Sequence, residues 1–71
     1  MYTLELVYPQ DKSLEYCDSI THGAVIDLLV RGIHSSQNAH NTLILHDTRD
    51  LTFALALLGS HTLYTVRIAS K

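Results

Sequence analysis

The sequence predicts a small α+β domain, with a single mixed sheet of four strands and two helices packed on one of its faces. Three observations carry this. Residues 2–8 (YTLELVY) and 62–69 (TLYTVRIA) alternate with a period of two, which marks a strand with one buried side. Residues 20–34 and 50–59 carry apolar side chains at helical spacing. The chain has 71 residues, enough for one domain spanning 1–71 and too few for a second core.

In 2–8, Tyr2, Leu4, Leu6 and Tyr8 share a side against Thr3, Glu5 and Val7. Pro9 and Asp11 suit a turn, and Leu14 and Tyr16 resume the alternation, so a hairpin is expected over 2–17. The period then changes. Val25, Leu28, Leu29 and Ile33 mark a core stripe, widened by Ile26 and Val30, on a helix over 20–34. Asp18, Ser19 or Thr21 can cap its start, and Asp27 and Arg31 stand four apart in the favourable order. Gly32 signals close packing or an early end. The polar run 35–42 (SSQNAHNT) reads as a loop and 43–46 (LILH) as a short strand. Asp47 or Thr48 caps a second helix that Gly59 ends. The expected order is β-β-α-β-α-β.

Composition narrows the function classes. The chain is 46% hydrophobic with a net charge of −2, too apolar for a disordered segment. No apolar run approaches the roughly 18 residues that a membrane span needs, and the N-terminus has no signal-peptide pattern. The lone Cys17 forms no disulfide within the chain. A complete cytoplasmic protein is the expectation. The basic side chains are scattered, which argues against a nucleic-acid footprint. A dimer that gathers Arg31, Arg49, Arg67 and Lys71 is the alternative reading.

The second helix raises the sharpest question. Leu51, Ala54, Leu55 and Leu58 make one complete core face, yet Phe53, Ala56 and Leu57 are apolar on the other sides. A two-layer domain buries one side of each helix, so Phe53 and Leu57 call for a cover. The loop over 35–42 or the N-terminal hairpin would supply it within the chain. Otherwise a second copy or a foreign protein does.

Five histidines are present, but their spacing matches no metal motif, and neither a metal nor a cofactor is expected. His46 and Asp47 could serve a small hydrolase or nuclease through acid–base chemistry, although helix capping alone accounts for Asp47, Thr48 and Asp50. Cys17 beside Asp18 suits a buried hydrophobe better than a nucleophile. The expected function is therefore non-enzymatic: a regulator, inhibitor-like or adaptor-like, of the kind phages encode, which binds a protein partner and forms a homodimer. Phe53 and Leu57 are the expected apolar anchors, with Arg49 and Asp50 at the rim.

Overall fold

The alternation in residues 2–8 produces β1 (Tyr2–Val7) in the computed structural model, which describes residues 1–70. Leu4 and Leu6 are fully buried, and Tyr2 and Tyr8 pack partly against the same core. The chain then enters α1 (Leu14–Val30) directly. Ser13 caps it by accepting the Tyr16 amide on its hydroxyl at 3.1 Å, which satisfies one of the donors a helix start leaves free. Cys17, Thr21, Ala24 and Leu28 recur at helical spacing and are buried.

The end of α1 is built by Gly32, whose φ of 81° is open to glycine at little cost. The Ile33 amide donates to the Leu28 carbonyl and the Gly32 amide to the Leu29 carbonyl, both at 2.9 Å. These are the two bonds of a Schellman motif, and Ile33 and Leu28 join the same core cluster. Next come β2 (Ser35–Ala39), β3 (Thr42–Leu45), a short 3-10 turn at Thr48–Asp50, α2 (Leu51–Gly59) and β4 (Thr65–Ser70).

The strands form one sheet in the order β2-β3-β1-β4, and all three pairings are antiparallel. Leu4 stands opposite Leu43 on one side and Ile68 on the other, and Leu6 opposite Val66. These positions share the face on which Ala24 and Leu28 of α1 and Ala54 and Leu58 of α2 complete the core. The other face carries Thr3, Glu5, Thr42, Ile44, Arg67 and their neighbours, with no helix over it. There Glu5 and Arg67, opposite each other in register, form an ion pair.

The α+β class, the four strands and the two helices on one face agree with expectation, but three details do not. The order is β-α-β-β-α-β, the split βαβ connectivity seen in ferredoxin-like folds, rather than β-β-α-β-α-β. Residues 14–17, expected in a hairpin, open α1, because the buried stripe from Cys17 to Leu28 outweighs two alternating side chains. Residues 35–39, expected in a loop, are the edge strand β2, whose polar side chains suit an edge. The sheet is also not mixed. β1 lies between β3 and β4, so the strands that run the same way never become neighbours.

Candidate functional site

The rotation of α1 decides which apolar side chains reach solvent. With Cys17, Thr21, Ala24 and Leu28 inward, Ile26, Leu29 and Val30 point out, 48%, 54% and 76% exposed. Leu29 therefore leaves the core expected for it, and Ile26 and Val30 do not widen the inner stripe. On α2, Phe53 is 55% exposed, while Leu57 is half-buried against the core. Neither the segment expected as a loop nor an N-terminal hairpin covers them. The former is paired to β3 at the far edge of the sheet from β4, and the latter does not form.

The polar residues expected at the rim are tied into the turn before α2. Asp47 accepts the Arg49 amide at 2.9 Å and holds the Arg49 guanidinium at 2.8–3.2 Å through both carboxylate oxygens. Arg49 lowers the Asp47 carboxyl to about 2. Asp50 precedes α2 without a side-chain capping bond. His46 turns away from Asp47 and hydrogen bonds Ser36 at 2.7 Å. The two side chains that a hydrolase would use together thus have different partners.

The three described arginines sit in three places, each against a carboxylate. Arg31 pairs with Asp27 at 3.3 Å, Arg49 with Asp47, and Arg67 with Glu5. They do not form a common basic patch, and Lys71 lies outside the described residues. All five histidines are exposed. Among the described residues, no three His, Cys, Asp or Glu side chains gather as a metal site requires, and no helix is long and apolar enough to cross a membrane.

A groove that no sequence pattern marks lies between α1 and the α2–β4 connection. It encloses about 410 Å³ and is lined by Ser19, Ile20, Gly23, Ala24 and Asp27 on one side and His61, Leu63 and Tyr64 on the other. Aromatic packing shapes its wall. The His61 and Tyr64 rings stack at 5.4 Å, and Tyr8 meets Tyr64 edge-on at 5.5 Å. Tyr64 is 5% exposed. Burial, reinforced by Tyr8 and Asp27, pushes its hydroxyl up to about 12, so it remains a protonated donor at neutral pH. No local sequence pattern links α1 to residues 61–64, so only the fold reveals this site.

Comparison with protein-family models, with curated proteins and with solved structures finds no match. The split βαβ connectivity hosts many activities and assigns none.

Proposed function

We propose that this chain is a non-enzymatic interaction protein that acts by binding a protein partner and that associates with itself through the outer side of its helices. The observation that carries this reading is the set of large apolar side chains left in solvent on the helices: Ile26, Leu29 and Val30 at i, i+3 and i+4 on α1, and Phe53 on α2, each about half exposed or more. Such groupings of large apolar side chains are uncommon on monomers and mark interaction sites. Leu57, four residues after Phe53 and half-buried against the core, is the second anchor, and Arg49 and Asp50 form the polar rim. In this reading the protein regulates by steric occlusion, in the manner of a small inhibitor or adaptor. The single buried Cys17 suits a reducing, cytoplasmic setting.

Light scattering across a hundredfold concentration range tests it. The wild-type chain is expected to rise in mass with concentration, and Phe53→Asp to stay monomeric with unchanged circular dichroism. Monomeric wild type at every concentration would overturn self-association. An unfolded Phe53→Asp variant would make Phe53 a core residue, and Val30→Asp then serves as the second probe.

A further inference from the structure

We infer that the groove between α1 and the α2–β4 connection is a second binding site, one that receives an arginine side chain from a foreign protein partner. Three observations converge on it. First, Tyr64 is 95% buried and lines the groove, and its ring stacks against that of His61 at 5.4 Å. Second, Asp27 supplies the groove's carboxylate. Arg31 engages its Oδ1 at 3.3 Å, which leaves Oδ2 for another donor. Third, a methyl on Gly23 would meet no atom within 4 Å. No neighbour inside the molecule calls for glycine in mid-helix, and its bare backbone deepens the groove.

The chemistry selects the occupant. Ile20, Ala24 and Leu63 suit an aliphatic stem, the stacked His61 and Tyr64 rings suit a planar cation, and Asp27 Oδ2 suits a charge-assisted hydrogen bond. A guanidinium meets all three demands, whereas a lysine ammonium lacks the plane that stacks. The groove's volume falls within the range of ligand sites and leaves room for the residue that carries the arginine. A second copy is a poor source, because Arg31, Arg49 and Arg67 are each held by a carboxylate of their own chain. The groove is separate from the outer helical face and does not depend on self-association.

The test is an amide NMR titration of the full chain with the blocked peptide acetyl-Ala-Arg-Ala-amide and with its citrulline counterpart, which has the same shape and no charge. Saturable shifts at Gly23, Asp27, His61 and Tyr64 are expected with the arginine peptide. The citrulline peptide should bind roughly tenfold or more weakly, the factor that corresponds to a hydrogen bond to a charged group. Asp27→Asn should weaken the arginine peptide similarly, and Tyr64→Phe by a smaller factor, with both spectra still folded. No groove shifts with the arginine peptide, or equal affinity for the citrulline peptide, would overturn the assignment. Light scattering reads self-association separately, so the two proposals fail independently.

Discussion

Thr21 shows how one side chain ties three elements together. It is fully buried, and its hydroxyl donates to the His40 carbonyl at 2.9 Å in the β2–β3 turn. With that hydrogen committed, Tyr8 is the donor in the 2.8 Å contact between the two hydroxyls. Thr21→Val keeps the shape and strands both partners, so a loss of about 1–3 kcal/mol is expected. In a domain of this size each kcal/mol lowers the melting temperature by roughly 4–8 °C. Thr21→Ser should recover most of the loss in a thermal melt. Asp47 gives a pH prediction with a definite sign. Arg49 lowers its carboxyl from 3.8 to about 2 in the folded chain. The pairing therefore stabilises fully above the unfolded value and is lost as pH falls through the folded one. An NMR titration should place the Asp47 midpoint near 2, and Arg49→Ala should return it to the ordinary carboxylate range. An ordinary midpoint in the wild type would mean that the pair is open in solution.

At the level of elements, the two glycines of the α1 region make opposite predictions. Gly23 lies inside the helix with open space where a methyl would go, so Gly23→Ala should stabilise by about 0.5–1 kcal/mol. Gly32 holds φ at 81°, a conformation costly for any side chain, so Gly32→Ala should destabilise by roughly 1–2 kcal/mol. Chemical denaturation of both variants checks the contrast, and equal signs would refute the Schellman assignment. The start of α1 was hard to read for a related reason. Its inward stripe includes Cys17, Thr21 and Ala24, which are small or polar, while Ile26, Leu29 and Val30 face out. Apolar side chains on both sides blur the helical period, and the true phase emerges only once Ser13 is known to be the cap. β2 was illegible because an edge strand needs no apolar face to hold its place, since β3 supplies its backbone partners. β1, β4, α2 and the Asp27–Arg31 pair were legible because each depends on local spacing.

For the molecule as a whole, size sets the terms. A single core in a chain below about 80 residues rarely supplies more than ~3–5 kcal/mol. Burying four half-exposed apolar side chains on each of two copies gains on the order of 1 kcal/mol apiece, against an association cost of ~4–15 kcal/mol. That balance places self-association where concentration decides it. The melting temperature of the wild type should therefore rise with protein concentration, and that of Phe53→Asp should not.

From the sequence alone follow the α+β class, the strand character of both chain ends and the apolar surplus of α2. All of these rest on periodicity and composition, which act over a few residues. Tertiary structure decided the rest. It chose which side of α1 faces the sheet and put β1 between β3 and β4, and these two choices exposed Ile26, Leu29 and Val30. It also brought Gly23 and Asp27 against His61 and Tyr64, across more than thirty residues of chain. Those outcomes depend on which faces bury the most apolar surface together, and that competition is settled only when all the elements pack at once.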